Sequence, residues 1–147
     1  MKTKTAFILV VAVALAGLGF KNATPEEPAK KDGIFIHVSS GYDNPHKVVM
    51  ALTLAEKFTE THDVMVFFDI KGVEVLTADA EAITMENFTS SKVALENLIA
   101  SGATVAACPM CMKKAGINLT DLMPGIEVAQ KEKFFDFTEG RILSIDY

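Results

Sequence analysis

Thr104-Val105-Ala106-Ala107-Cys108-Pro109-Met110-Cys111-Met112-Lys113-Lys114-Ala115-Gly116 is a short apolar run that breaks off in two thiols, and it holds both cysteines of the chain. Small and β-branched residues through Ala107 predict a buried strand, and Pro109, which has no N–H for a ladder, ends it. Cys108 therefore belongs at the carboxyl end of a strand, ahead of a short helix, where open α/β sheets bind their ligands. A helix starting there aims its free N–H groups and positive dipole end at the Cys108 sulfur, which favours thiolate over thiol. Cys111, one helical turn on, gains less from those groups. Cys108 is thus the expected nucleophile and Cys111 the resolving thiol. Lys113 and Lys114 follow in the next turn, near enough to stabilise a thiolate, although plain surface charge is the simpler reading of both. A lone cysteine in a strand is usually a small buried residue; a Cys-x-x-Cys with proline inside it argues for chemistry.

Working back from this stretch, Ser90-Ser91 caps a helix over Lys92–Ser101 with Ala94, Leu95, Leu98 and Ile99 on its apolar face, and Gly102 closes it. Val64–Ile70 predicts a second buried strand, and Val73–Thr77, which alternates, a half-exposed strand or an extended flap. The polar segment Ala78–Thr89 is expected to be a partly helical excursion anchored by Met85 and Phe88. Ile34–Val38 is a third apolar run, interrupted by His37, expected to be a core or sheet-edge histidine rather than a ligand. Asn44 caps a helix that Pro45 opens and that runs to Phe58, with a wide apolar arc. Downstream, Ile117–Gly125 makes a short helix and turn, and Ile126–Ala129 a fourth strand. Lys131–Gly140 is a charged loop or short helix, and Arg141–Tyr147 an edge strand. Strands alternating with helices predict an α/β fold: a mostly parallel sheet with right-handed crossovers and helices on both faces. A central strand order of 2-1-3 would bring Tyr42, Asp43 and His46 beside Cys108; Asp43 and His46 are accordingly weaker site candidates, each equally readable as a loop or helix-start residue.

The 147 residues amount to one domain, half of it apolar. Lys2 and Lys4 precede an uncharged apolar run, Ala6–Phe20, too short for the roughly 18–20 residues of a spanning helix and ending near small residues. Residues 1–23 are therefore expected to be a secretory signal, or an uncleaved anchor as the chain's sole link to a membrane. Residues 24–32 are expected to be a linker and 33–147 the domain, exported or periplasmic. Loss of residues 1–16 removes two lysines and no acid, taking the formal net charge from −5 to −7. An acidic chain without a basic, aromatic-laced patch argues against nucleic acid as partner.

The opening Gly33-Ile34-Phe35-Ile36-His37-Val38-Ser39-Ser40-Gly41-Tyr42-Asp43-Asn44-Pro45-His46, the helix Ala51-Leu52-Thr53-Leu54-Ala55-Glu56-Lys57-Phe58, and Val105-Ala106-Ala107-Cys108-Pro109-Met110-Cys111 ahead of Lys113-Lys114-Ala115-Gly116 resemble the DsrE/DsrF-like family of small sulfur-handling proteins. The resemblance spans Gly33–Tyr147. It implies a flavodoxin-like α/β fold, a homo-oligomer (trimer or hexamer), a persulfide-carrying cysteine where Cys108 stands, and a sulfur donor or acceptor as partner, either a protein or a small thiol or polysulfide. Cys111 is a second thiol that a single-cysteine carrier lacks. No cofactor is expected. Two rival readings use the same residues: a thiol–disulfide redox protein, and a soft copper(I)-binding module built from Cys108, Met110, Cys111 and Met112. The residues leave a carrier and a catalyst both open.

Overall fold

The computed structural model describes residues 30–147, so the expected signal over residues 1–23 and most of the expected linker lie outside the described residues. In chain order the elements are β1 (Gly33–Val38), α1 (Pro45–Phe58), β2 (Asp63–Phe68), α2 (Ser91–Ala100), β3 (Thr104–Ala107), α3 (Pro109–Ala115), β4 (Glu127–Val128) and β5 (Ile142–Asp146). They form one five-stranded sheet in the order β4-β3-β2-β1-β5, with every pairing parallel. The fold is the expected α/β, flavodoxin-like class, and β5 is an edge strand as its alternation predicts.

Pairing fixes which side chains share a face. Phe35 lies beside Met65 and Met65 beside Thr104, so Ile34, Ile36, Val38, Val64, Val66, Phe68, Val105 and Ala107 all point the other way. These residues join Val48, Val49, Leu52 and Ala55 of α1 and Ala94, Leu95 and Leu98 of α2 in one buried core. At roughly 1.5–3 kcal/mol for each fully buried Val, Leu, Ile or Phe, this layer dominates stability. Both helices sit on this face because β1, β2, β3 and β4 follow one another in one direction across the sheet. The wide apolar arc of α1 is used twice, against the sheet and against α2. The opposite face is covered by the return from β4 to β5, where Phe134 packs 5.5 Å from Phe35 and 4.9 Å from Phe67, ring centre to ring centre. A single 3-10 turn, Lys131–Lys133, is its only regular helix among the described residues.

Asn44 caps α1 by accepting from the Lys47 N–H, and Pro45 opens it, as predicted. Ser90 stands at the N-cap of α2 but makes no side-chain cap bond. Ser91, fully buried, instead gives its hydroxyl oxygen to the Ile83 N–H at 2.9 Å, while its own N–H donates to Ile83 O at 3.0 Å. That reciprocal pair corrects the reading of Ala78–Thr89. The segment has no helix; it is an irregular loop held by Ser91, by Lys92 Nζ on Ala78 O, and by a buried Ile83, with Met85 and Phe88 half-buried against the core. The expected strand or flap at Val73–Thr77 is also corrected. Gly72–Leu76 is a 3-10 helix in which Val73, Val75 and Leu76 are all buried, a demand that a strand with one solvent face cannot meet.

The expected strand order 2-1-3 is overturned, because β2 lies between β1 and β3. Consecutive parallel strands commonly pair, and the free edge of β1 is taken by β5. The last linker residues are tied down by that arrangement. Lys31 O accepts from Thr138 Oγ1, and the Arg141 guanidinium, 2.6 Å from Asp32, holds that carboxyl below the usual carboxylate range.

Candidate functional site

Cys108 follows the last residue of β3 with an extended backbone (φ −67°, ψ 117°) and is the N-cap of α3, with Pro109 at the first helical position. Its N–H donates to Phe68 O at 2.8 Å, extending the β2–β3 ladder by one bond, and its carbonyl accepts from Met112 N–H at 3.0 Å. The strand end and the helix start thus share this residue. Gly116 ends α3 in the left-handed conformation (φ +74°).

Cys111 stands three residues on, the spacing that places two side chains on one helical face. Both thiols are free and half-buried. Burial first, and then the neighbouring Cys108 thiol, push the Cys111 thiol up from its ordinary value. The Ile70 main chain beside it pulls the other way. The turn around it is fixed by main-chain bonds from Asp69 N–H to Val38 O, Lys71 N–H to Ser39 O and Gly72 N–H to Asp69 O. Ile70 holds this geometry at φ +45°, a strained region for a β-branched residue.

Beside Cys111 lies a cleft of about 240 Å³ lined by Ile70, Lys71, Glu74, Lys114 and Ala115. Lys114 rather than Lys113 lines it, although both are exposed. Met112 turns into the core and Met110 is 73% exposed, so the two methionines face different surroundings. Among the described residues, no three His, Cys, Asp or Glu side chains converge as metal ligands.

The residues after β1 have other partners. Asp43 accepts from the Gly41 N–H at 2.8 Å, which holds its carboxyl below the usual range. Tyr42 Oη donates to Glu81 O at 2.7 Å, and His46 meets the Phe88 ring edge-on at 5.6 Å. With β2 interposed, these side chains serve their own loop and the 78–90 segment. The residues brought to Cys111 are those after β2: Asp69, Ile70, Lys71 and Glu74. Sequence reading ended β2 at this charged turn without linking it to the thiols, and Gly72 beside it was the available signal.

His37 is half-buried at the same end of the sheet, with Nδ1 3.0 Å from Asp146 Oδ1 and Nε2 3.0 Å from Asp69 Oδ2. The first contact is a hydrogen bond; the second lacks the required angle, and Asp69 Oδ1 is buried without a partner. His37 thus lies inside the sheet, paired on both sides, rather than at its edge, and its ring stands between Asp146 and the Asp69 turn that leads to Ile70.

Similarity to known proteins agrees with this architecture. The ychN protein from E. coli aligns with 18% identity and a TM-score of 0.58, over 78% of this chain and 99% of that one. MTH1491 from Methanobacterium thermoautotrophicum, a protein of unknown function, aligns with 15% identity and a TM-score of 0.54 over the same shares. At these identities the likeness concerns the fold alone. No curated relative matches. The model of the DsrE/DsrF-like family matches residues 32–139, from the start of β1 through the Cys-x-x-Cys to the turn before β5, and the chain belongs to that family.

Proposed function

We propose that this protein is an exported sulfur carrier that binds sulfane sulfur as a persulfide on Cys108, with Cys111 as the resolving thiol. The observation that carries the reading is the pair of free, half-buried thiols at the carboxyl end of β3, with Cys108 as the N-cap of α3 and Cys111 one helical turn on. In the loading step the Cys108 thiolate attacks a sulfane sulfur; the Cys108 S–S bond forms as the donor's bond to that sulfur breaks, and the donor leaves with the electron pair. The outer sulfur then passes to an acceptor nucleophile, regenerating the thiolate. Alternatively, Cys111 loses its proton and attacks the inner sulfur, giving the Cys108–Cys111 disulfide and HS⁻, and a two-electron thiol reductant resets the pair.

Export rests on the signal-like residues 1–23, and a homo-oligomer rests on the family resemblance together with exposed Phe135, Ile142 and Leu143 around β5. The test is intact-mass and peptide analysis of protein taken from its native compartment, followed by sulfur loading of Cys108→Ser and Cys111→Ser. Expected are a mature start between Gly17 and Thr24, an adduct of about +32 Da on Cys108 that Cys108→Ser abolishes, and a longer-lived persulfide in Cys111→Ser. Sulfur on Cys111 in Cys108→Ser would overturn the roles. A start at Met1 on membrane-bound material would refute cleavage, and a monomer in sedimentation velocity would refute assembly.

A further inference from the structure

Ile70 stands where backbone preference calls for glycine. The Gly72 N–H donates to Asp69 O at 2.7 Å, closing a four-residue turn with Ile70 and Lys71 at its centre. Ile70 has φ +45° and Lys71 has φ −84° and ψ −22°, the sign pattern of a type II′ turn, whose first central position favours glycine. A β-branched residue is strained there. The main-chain bonds that fix the turn, from Asp69 N–H to Val38 O and from Lys71 N–H to Ser39 O, would hold a glycine equally well, so they do not account for the side chain. Nor does the core, because Ile70 is 61% exposed. What remains is the cleft: Ile70 lines it together with Cys111 and supplies the one large apolar side chain of that lining among the described residues.

We propose that Ile70 is a positioning residue for the thiol pair, its side chain covering Cys111 at the mouth of the cleft and keeping water from it. A less hydrated thiol gives up its proton less readily, in keeping with burial as the leading cause of the raised Cys111 thiol. Resting on the carrier reading, the cover also sets the life of the persulfide. Cys111 must ionise before it attacks the inner sulfur on Cys108; the Cys108–Cys111 bond then forms, the persulfide S–S bond breaks, and HS⁻ leaves with the electron pair. By slowing that ionisation, Ile70 leaves time for the outer sulfur to reach an acceptor. The charged and titratable groups around Cys111 are Cys108, Asp69, Lys71, Glu74 and Lys114, none of which changes when Ile70 is shortened.

Two variants separate strain from cover. Ile70→Ala keeps a strained backbone and removes the cover, whereas Ile70→Gly removes both. Fully reduced protein is alkylated with iodoacetamide over a range of pH, with rates at Cys111 read by peptide mapping. Tm is read by circular dichroism, and the lifetime of a persulfide loaded on Cys108 by intact mass. Both variants are expected to label Cys111 faster near neutral pH, on the order of threefold to tenfold, with the pH–rate profile displaced to lower pH. Ile70→Gly is expected to melt about 5 °C above wild type, since the strain relieved exceeds the entropy that glycine adds to the unfolded chain, and Ile70→Ala close to wild type. Ile70→Val should match wild type in both respects. The Cys108 persulfide should be correspondingly shorter-lived in Ile70→Ala. Labelling at the wild-type rate in both variants overturns the proposal. An Ile70→Gly protein that melts no higher than wild type overturns the strain argument beneath it. Faster labelling with an unchanged persulfide lifetime overturns the role in resolution and leaves the cover. Faster labelling with no persulfide on Cys108 in any variant overturns the carrier reading, while the cover over Cys111 stands.

Discussion

Gly72→Ala is the substitution through which packing and thiol chemistry are most directly coupled. A Cβ at this buried position would run into the Val38 carbonyl oxygen and lie 3.2 Å from Phe68 Cδ1 and 3.3 Å from Ser40 O. Two of these neighbours are backbone and the third is a fully buried core ring, so none can turn aside. Overpacking of this kind costs about 1–3 kcal/mol, against a gain of about 0.4–1 kcal/mol from a stiffer unfolded chain, leaving about 1.3 kcal/mol of destabilisation at mid-range. With an unfolding entropy of about 2.1 cal/mol/K per residue, a domain of roughly 120 residues loses about 4 °C of Tm per kcal/mol, so the expected drop is about 5 °C. Gly102→Ala is the internal reference. It carries the strain of φ +83° but has nothing within 4 Å of its Cβ, and the same entropic gain leaves a net cost of about 0–1 kcal/mol. Gly72 also anchors the turn that sets the Ile70 main chain beside Cys111, where it favours the thiolate. Its displacement should slow iodoacetamide labelling of Cys111. Thermal unfolding by circular dichroism, with labelling rates from peptide mapping, reads both effects. A Gly72→Ala protein that melts within about 1 °C of wild type and labels at the wild-type rate would refute the backbone-contact argument.

Leu98→Ala removes a fully buried α2 side chain from the layer between helix and sheet; urea unfolding should lose about 2–5 kcal/mol with an unchanged m-value, whereas Val93→Ala, on the exposed side of α2, should stay within about 0.5 kcal/mol. The raised Cys111 pKa has a definite sign in stability: its contribution is complete below the ordinary thiol value of about 8.5 and is lost as pH rises through the elevated folded value. Cys111→Ser should therefore show a flatter decline in stability above about pH 8.5 than wild type, measured by denaturant midpoints; parallel slopes would contradict a raised folded pKa.

Local chemistry was enough to define the elements and the thiol motif. Asn44-Pro45 predicts the start of α1 because capping and a missing N–H act within one turn, and Pro109 sets the end of β3 for the same reason. The apolar runs at β1, β2 and β3 have one meaning because a parallel strand covered on both faces cannot carry charge. Strand order is different: the three runs are equally apolar, and only the joint packing of α1 with α2, and of β5 against the far edge of β1, decides that β2 lies in the middle. That one tertiary fact moves Asp43 and His46 away from the thiols and brings Asp69, Ile70 and Lys71 to them. The left-handed backbone at Ile70 was equally invisible, since isoleucine disfavours that conformation and adopts it here under the constraint of Gly72 against β1 and Cys111 opposite. The sequence by itself determined β1, β2, β3, α1, α2 and the paired thiols, because those preferences are local; the tertiary structure decided that Gly72–Leu76 coils as a 3-10 helix and which loop meets Cys111, because both depend on contacts between distant segments that no local preference encodes.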